Sequence, residues 1–260
     1  AIMTVDGLQT SIGSFFLPTS KRYLMGITII IQTKNKTMEF INKTEKFNVS
    51  VLKQMLLHQK TTRERFKFPL TEEQAEDVLM AAYQAEVEFR HRDFKDDEPT
   101  RDNIKKIAHY LTSGNQKFGM IFLGLCGNGK TTMLYAFQQS INYLNRKNLF
   151  EDGSQIGIQI VDAKEIAAMA KDIKEFRNLK NKNMLAIEDM GREPTEVLDY
   201  GNILNPVIDL IEYRYDAQLF TVITTNLTKN EIRAKYGARV ADRFNEMLEC
   251  IVFRNETYRK

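Results

Sequence analysis

The segment Gly124–Thr131 reads GLCGNGKT and matches the phosphate-binding pattern G-x-x-x-x-G-K-S/T at every fixed position. Glycines in such a loop let backbone N–H groups turn toward phosphate oxygens, and the start of the following helix adds partial positive charge. We expect Lys130 to reach the β- and γ-phosphates and Thr131 to ligate Mg²⁺. The predicted nucleotide-binding residues are Gly124, Gly127, Asn128, Gly129, Lys130, Thr131 and Thr132.

A second group of reactive side chains follows further along the chain. Met184–Asp189 is an apolar run that ends in two acids. Behind a phosphate-binding loop, one carboxylate is expected to hold hydrated Mg²⁺ and the other to orient or deprotonate the attacking water. The residues alone leave open which of Glu188 and Asp189 holds the metal with Thr131 and which handles the water. A strand that ends in acidic residues is common, so the loop that precedes it gives the pattern its meaning.

Two further segments carry polar side chains suited to the same site. Thr224–Asn226 follows an apolar run, where the carboxyl ends of parallel strands open toward a ligand. Asn226 is expected either to hold the lytic water or γ-phosphate, or to cap a helix that begins near Thr228. Arg239 and Arg243 are four residues apart, hence on one helical face. They are either trans-acting fingers for the nucleotide of a neighbouring subunit or a surface salt-bridge face.

These residues need an α/β scaffold to bring them together. From Phe118 onward, short β-rich apolar runs alternate with longer helical patterns, which predicts an α/β domain with a mainly parallel sheet. Before it, Thr71–Gln74 has a capping-box pattern for a helix that runs to about Arg90. Asp96–Pro99 interrupts the chain, and Thr100 is expected to cap the next helix. The predicted strands are Gly119–Leu123, Gly157–Val161, Met184–Ile187, Leu219–Thr224 and Leu248–Phe253.

The composition is that of an ordinary globular chain. Its 260 residues include 37 Lys and Arg against 34 Asp and Glu, with 43% hydrophobic and 27% charged residues. Two cysteines and three histidines without CxxC or HxxxH spacing exclude a disulfide framework and a structural zinc site, and they favour a reducing compartment. The longest apolar run, Tyr23–Ile31, is shorter than the roughly twenty residues of a bilayer span, which favours a strand or a poorly ordered tail. We therefore expect a cytoplasmic protein with no membrane partner.

The first 70 residues differ in character from the rest of the chain. Residues 1–50 carry six basic and three acidic residues, which accounts for the whole net charge of +3. Val51–Leu57 predicts a short amphipathic helix, and Phe68-Pro69 predicts the turn that ends this region. A second basic cluster is interleaved with aromatic side chains. This pattern is typical either of phosphate contact combined with base stacking or of a solvated helix face. It consists of Lys53, Lys60, Arg63, Arg65 and Lys67 with His58, Phe66 and Phe68.

Taken in order, five segments resemble the AAA+ helicase loaders of the DnaC/IstB type. The segments are GLCGNGKTT (124–132), LAIEDMG (185–191), ITTNLT (223–228), YGARVADRF (236–244) and ETYR (256–259). The resemblance covers roughly residues 71–260. It implies an α/β P-loop fold with a five-stranded parallel sheet in the order 5-1-4-3-2, flanking helices and no helical lid. The implied organisation is an N-terminal region, residues 1–70, that grips a replicative helicase, and an AAA+ ATPase domain, residues 71–260.

The resemblance also implies roles for individual residues. ATP binds the loop, and Glu188 and Asp189 handle Mg²⁺ and water. Asn226 stands at the sensor 1 position and Arg243 at the arginine-finger position, with Arg239 as the second candidate. In these loaders the helix after the second strand helps line the path of single-stranded DNA, and here a sloping basic stripe is either such a contact or a solvated face. The stripe consists of Lys171, Lys174, Arg177 and Lys180.

The implied function is that of an ATP-dependent DNA-replication helicase loader, which hydrolyses ATP with Mg²⁺, binds single-stranded DNA and a replicative helicase, and forms homo-oligomers when ATP binds. The first acid after the strand is usually Asp in this family and is Glu188 in this chain. Its extra methylene shifts the metal by about a bond length, so slow or vestigial hydrolysis is expected. The alternatives are a transposition helper with a transposase partner, an ATP switch without hydrolysis, and a P-loop small-molecule kinase. A kinase usually needs a mobile basic lid, whereas the corresponding segment predicts a helix over Ile203–Tyr215.

Overall fold

The chain divides into two compact units, residues 1–62 and 63–260. The computed structural model describes residues 4–5, 8–9, 48–59, 65–150, 153 and 155–258. In the first unit β1 (Thr4–Val5) pairs antiparallel with β2 (Leu8–Gln9), and α1 (Val49–Gln59) includes the helix predicted from its apolar pattern. The exposed apolar side chains of α1 are Val49, Val51, Leu52, Met55, Leu56 and Leu57.

The second unit alternates helices and strands along the chain. In chain order its elements are α2 (Glu72–Phe89), α3 (Glu98–Thr112), β3 (Gly119–Gly124), α4 (Lys130–Arg146), β4 (Gln159–Asp162), α5 (Ala163–Met169), α6 (Ile173–Lys180), β5 (Met184–Met190), β6 (Val197–Asp199), β7 (Asn202–Leu204), α7 (Pro206–Asp216), β8 (Phe220–Thr225), α8 (Lys229–Tyr236), α9 (Ala238–Met247) and β9 (Glu249–Phe253). Five strands form one parallel sheet in the order β9-β3-β8-β5-β4. When these five are numbered along the chain, the order is 5-1-4-3-2, so the predicted α/β fold is confirmed. The antiparallel pair β6–β7 adds a hairpin that the sequence patterns did not predict.

Helices cover both faces of this sheet. Met120 and Phe122 of β3 face the core formed with α2, α3 and α4, whereas Ile121 and Leu123 face the core formed with α5 to α9. This alternation is the period of two that a strand buried on both faces requires. Because all five strands are parallel, their carboxyl ends meet at one edge, where the loops after β3, β5 and β8 come together.

The helix starts show where local sequence decided the structure. Thr71 caps α2 as predicted, because its hydroxyl accepts a hydrogen bond from Gln74 N while the Gln74 side chain accepts one from Thr71 N. The prediction that Thr100 caps α3 is wrong. Asp97 is the cap, because its carboxylate accepts from Thr100 N at 2.9 Å and Pro99 is tolerated in the first turn. No helix that the structure describes is long and apolar enough to cross a membrane.

The start of α7 also differs from the prediction. The helix begins at Pro206 rather than at Ile203, which belongs to β7. Proline favours the first turn of a helix because it has no N–H to leave unpaired. The hairpin before it therefore occupies residues that helical periodicity alone had assigned to the helix.

Phe66 and Phe68 lie in the core of the second unit. Phe68 is buried, and the ring of Phe66 packs against that of Phe220 with centroids 5.0 Å apart. Arg65 lies over the ring of Phe118 at 4.8 Å. The base-stacking interpretation of these two phenylalanines is therefore wrong, because they pack within the chain. The sequence predictions that lie outside the described residues concern Lys60, Arg63 and Tyr23–Ile31.

Candidate nucleotide-binding site

The loop between β3 and α4 lies at the carboxyl edge of the sheet. Gly129 has a φ of +94° and caps α4, and a Cβ added there would lie 2.4 Å from the hydroxyl of Tyr83. Gly124 has a φ of +154°, and its Cβ would lie 2.6 Å from the carbonyl oxygen of Phe253. Both backbone conformation and space therefore require glycine at these two positions of the motif.

The ammonium group of Lys130 lies inside this loop. It donates hydrogen bonds to the carbonyl oxygens of Gly124 and Leu125, both at 2.7 Å, and to Asn128 Oδ1 at 3.0 Å. Asn128 in turn donates from Nδ2 to the carbonyl oxygen of Phe253 at 2.8 Å. Asn128 thus braces the loop between the lysine and β9, and Lys130 is only 5% exposed.

An open cleft of about 910 Å³ adjoins the loop. Its walls include Gly127–Thr132, Asp189 and Asn226, so the structure brings together residues from three segments that the sequence analysis selected separately. The cleft also has walls that sequence reasoning missed: Tyr83, Val87, Arg90, Phe94 and Arg192. Tyr258, from the ETYR segment, lines it as well. The four residues between Tyr83 and Phe94 lie far from the loop in the sequence, and no local motif marks them.

The carboxyl end of β5 is irregular where its two acids stand. The pairing of β5 with β8 shifts register between Ile187 and Met190, and Asp189 has a φ of +52°. The irregularity is held by two buried threonines: Thr224 Oγ1 accepts from Asp189 N at 2.9 Å, and Thr225 Oγ1 donates to the carbonyl oxygen of Met190 at 2.6 Å. A non-glycine residue in the left-handed region is costly and is common at functional sites. In this chain the irregularity changes the direction of the backbone at Asp189, and Asp189 lines the cleft.

The two acids have different partners. Glu188 accepts a hydrogen bond from the hydroxyl of Tyr135 at 3.4 Å. Asp189 forms an ion pair with Arg192, with Nη1 and Oδ2 2.6 Å apart. Burial, and after it the charge of Glu188, raises the pKa of Tyr135, so this hydroxyl stays protonated and donates.

Asn226 follows β8 and is exposed on the cleft wall. The alternative that it caps the next helix is wrong, because Thr228 caps α8 in a capping box with Glu231. Glu231 Oε2 accepts from Thr228 N at 2.7 Å. The amide of Asn226 is therefore not needed for the start of α8.

The segment 254–258, which contains most of the ETYR motif, supports the loop from behind. Tyr258 N donates to the carbonyl oxygen of Gly127 at 2.9 Å, and the Tyr258 hydroxyl donates to Asp97. Asn255 donates to Asp97 at 3.2 Å and to Thr100 at 3.0 Å. Burial would raise the pKa of Asp97, but hydrogen bonds from Tyr258, Thr100 and Asn255 outweigh it, so the pKa is lowered.

Arg239 and Arg243 of α9 do not line the cleft of their own chain. Both reach Glu212 of α7, Arg239 Nε at 3.1 Å and Arg243 Nη1 at 2.8 Å. The guanidinium of Arg243 also lies over the ring of Tyr215 at 4.9 Å, and its side chain is 11% exposed against 73% for Arg239. Although Arg243 Nη1 is close to Glu212, it is buried without a hydrogen bond of good geometry to any described residue.

The basic stripe does not lie on a single helix. Asp172 begins α6 by accepting hydrogen bonds from Lys174 N and Glu175 N, both at 2.9 Å. Lys171 therefore lies in the turn before α6, which corrects the regular spacing assumed from the sequence. An aspartate three residues before a glutamate was a local signal for this cap.

The other three residues of the stripe belong to α6. Lys174 and Arg177 are exposed. Lys180 is partly buried, with its ammonium 4.7 Å from the ring centroid of Phe176 and 5.7 Å from that of Tyr213. The stripe thus offers three exposed cations, while the fourth packs on aromatic rings of its own chain.

The glycine loop, the strand that ends in acids and the polar end of β8 define a P-loop α/β domain. No family model and no curated protein matches the chain. Among solved structures it is similar to the DnaC helicase loader at 22% identity and a TM-score of 0.48, over 62% of this chain and 94% of that one. DnaI is similar at 19% identity and 0.49, over 71% and 93%. The replication initiator DnaA bound to AMPPCP and single-stranded DNA is similar at 18% and 0.45, over 63% and 49%.

The helicase loaders that the sequence motifs resemble thus recur among the solved structures similar to this chain. All three identities are below 25% and all three TM-scores are below 0.5. The role of each residue therefore depends on the geometry of the site itself.

Proposed function

We propose that this protein is an AAA+ ATPase of the helicase-loader type, which binds Mg²⁺-ATP at the carboxyl edge of its sheet. The observation that carries the proposal is that Cys126–Thr132, most of an intact phosphate-binding loop, shares one cleft with Asp189 and Asn226. Backbone N–H groups of the loop and the start of α4 attract phosphate oxygens. Lys130 exchanges its carbonyl acceptors in the loop for oxygens of the β- and γ-phosphates.

The walls beyond the loop suit the rest of a nucleotide. Tyr83, Val87, Phe94 and Tyr258 line the same cleft and offer aromatic and apolar surface. Small-molecule sites combine such surface with a few placed polar groups. A purine base next to these side chains lies beside the loop that holds its phosphates.

The available donors fit Mg²⁺ better than a softer metal. The Thr131 hydroxyl and the Glu188 carboxylate are both hard oxygen donors. Mg²⁺ usually keeps several waters and takes one or two carboxylates together with phosphate oxygens. When bound, it supplies positive charge that neutralises the phosphates.

Hydrolysis needs a positioned water, and two cleft residues can hold one. Asp189, fixed by Arg192, orients the water or accepts its proton, and Asn226 orients the water or the γ-phosphate. Glu188, which is one methylene longer than the usual aspartate, motivates the second candidate function, a switch that binds ATP and hydrolyses it slowly or not at all. Single-turnover hydrolysis decides between the two. An ATPase converts its bound ATP to ADP, whereas a switch releases most of its ATP unhydrolysed.

Assembly through the arginines requires a second copy of the chain. Arg239 is exposed, whereas Arg243 must leave Glu212 and the Tyr215 ring to reach another subunit. We infer that Arg239 makes the first contact with a neighbouring nucleotide and that Arg243 follows when Glu212 is released. Arginine in trans stabilises charge on the transferring phosphate.

Single-stranded DNA is the proposed ligand of the basic stripe. Lys171, Lys174 and Arg177 are exposed and can pair with phosphates, a contact that does not depend on base sequence. Residues 1–70 are the proposed helicase-binding region, or the transposase-binding region in a transposition helper, and residues 71–260 the ATPase domain. The exposed apolar side chains of α1 are suited to a protein partner.

The first test is a titration of the protein with a fluorescent ATP analogue in the presence of Mg²⁺. Lys130→Ala is expected to weaken binding at least about a hundredfold, because the phosphates lose their principal cation. Lys147→Ala, at the other end of the same helix, is the matched control and should bind as the unchanged protein does. Equal binding by Lys130→Ala and the unchanged protein would refute the proposed site.

A further inference from the structure

Tyr135 stands one helical turn after Thr131 on α4. Residues four apart lie on the same helical face, so both hydroxyl-bearing side chains project from one side of the helix. The Tyr135 hydroxyl reaches the carboxyl end of β5, where it donates to Glu188 Oε2 at 3.4 Å. The helix that carries the predicted metal ligand Thr131 thus also contacts the second predicted ligand.

The ring of Tyr135 is held from another side by α2. The guanidinium of Arg90 lies 5.4 Å from its ring centroid, and Arg90 is fixed by an ion pair with Glu86 at 2.8 Å. A ring held in this way keeps its hydroxyl at a defined place, because a tyrosine side chain has few rotatable bonds. The contact with Glu188 is therefore built by two neighbouring elements.

The length of Glu188 gives this contact its meaning. An aspartate at this position would withdraw the carboxylate by about 1.5 Å, one C–C bond, and a hydrogen bond that already spans 3.4 Å would be lost. With glutamate, Tyr135 engages Oε2, and Oε1 would be the oxygen that faces a bound Mg²⁺. The hydrogen bond from Tyr135 thus fixes the carboxylate of the longer side chain, and this offsets the displacement that the extra methylene causes.

We propose that Tyr135 is a positioning residue that orients the carboxylate of Glu188 for Mg²⁺. The proposal rests on the proposed function, in that it assumes a Mg²⁺-nucleotide at this site. It assigns Tyr135 no contact with the nucleotide itself. It predicts that the effect of removing the hydroxyl depends on which acid stands at position 188.

The test is the Mg²⁺ concentration that half-saturates binding of a fluorescent ATP analogue. Four proteins are compared: the unchanged chain, Tyr135→Phe, Glu188→Asp and the double variant. Tyr143→Phe is the matched control, since Tyr143 lies on the same helix and has a partly exposed ring. Binding in EDTA and the unfolding temperature are measured alongside, because a merely structural change would alter these as well.

Tyr135→Phe is expected to raise the half-saturating Mg²⁺ concentration roughly three- to tenfold, the range for one hydrogen bond, while binding in EDTA is unchanged. In the Glu188→Asp background the same change is expected to have no further effect, because the shorter acid does not reach the hydroxyl. An unchanged or lower Mg²⁺ requirement in Tyr135→Phe, or an equal rise in both backgrounds, would overturn the proposal. If the unchanged chain binds the analogue without regard to Mg²⁺, the proposed function fails instead.

Discussion

The candidate functional side chains at the sheet edge surround an open cleft, whereas the candidate arginines on the helical layer of α6, α7 and α9 are already paired within the chain. In the cleft, Asp189, Asn226 and Lys130 lie around one open volume, each positioned by its own strand or loop. On the helical layer, Arg239 and Arg243 are paired with Glu212. In the proposed function, a single chain therefore supplies the nucleotide site, whereas the arginines would act only after another molecule replaces their present partner.

This difference predicts where substitutions act. Changes in the cleft should alter nucleotide affinity in an isolated chain. Changes on the helical layer should alter only properties that depend on protein concentration or on DNA. The exception is Arg243, whose nearly buried guanidinium also contributes to the stability of its own chain.

The largest effect among changes that leave the charge of the loop intact is expected from Gly129→Ala. The added methyl group would meet the Tyr83 hydroxyl at 2.4 Å in a backbone conformation that alanine rarely adopts. We expect nucleotide affinity to fall at least tenfold and the free energy of unfolding to fall by about 2 kcal/mol or more. Ligand titration and chemical denaturation measure the two effects.

Gly201→Ala separates backbone strain from the steric clash. Gly201 has a φ of +85°, but a Cβ there meets nothing within 4 Å. Its cost should be about 1 kcal/mol of stability, with no change in nucleotide affinity. Adding Tyr83→Phe to Gly129→Ala should recover part of the affinity. Equal losses in the two glycine variants would show that the clash at the loop is unimportant.

Local chemistry predicted the cleft loop and much of the fold. The glycine loop and the five strands of the sheet follow from segments that carry their own signals, and the Thr71 cap follows from a four-residue pattern. The order of the strands was implied only by the resemblance to the helicase loaders. Long-range partners have no such signal: Tyr83 lines the cleft from α2, and Tyr135 reaches Glu188 from α4. They become visible only when the sheet brings those elements together.

The errors have the same physical origin. Phe66 and Phe68 stand among basic residues, as stacking residues would, yet tertiary packing places their rings in the core. The hairpin β6–β7 was missed because its short strands have no long alternating pattern. Thr100 was predicted to cap α3, but Asp97 does so, because both residue types can cap a helix and only the folded chain distinguishes them.

The two arginines should differ in what their removal changes. Arg243→Ala is expected to lower the free energy of unfolding by about 1–2 kcal/mol, because a nearly buried cation that packs on Tyr215 is lost. Arg239→Ala, which removes an exposed pair, should cost no more than about 0.5 kcal/mol. Both should spare nucleotide binding and reduce hydrolysis that rises with protein concentration. Normal hydrolysis by both variants at all protein concentrations would contradict the trans-finger proposal.

A smaller effect is expected on the basic stripe. The combined change Lys174→Ala and Arg177→Ala removes two exposed cations and should weaken binding of single-stranded DNA several-fold, with a shallower dependence on salt. Lys105→Ala, an exposed lysine of α3, is the control. Anisotropy of a labelled oligonucleotide at two salt concentrations measures both quantities. If the control weakens binding as much as the double change, the stripe has no special role.

The smallest effect concerns Asp97 behind the loop. Its pKa in the folded chain is lowered from the ordinary 3.8, so its contribution to stability is present above about pH 4 and is lost as the pH falls through the lowered value. Asp97→Asn should therefore flatten the fall in unfolding temperature between about pH 5 and pH 2. Asp77→Asn, an exposed carboxylate on α2, should leave that slope unchanged. Identical slopes in all three proteins would remove Asp97 from the acid response.

The most direct test of a loader function is the affinity for labelled single-stranded DNA, measured by anisotropy in Mg²⁺-ATP and in Mg²⁺-ADP. A loader whose nucleotide site assembles a DNA path should bind at least about tenfold more tightly with ATP, and Lys130→Ala should abolish the difference. Equal binding with both nucleotides, or none with either, would contradict that function and remove DNA from the mechanism.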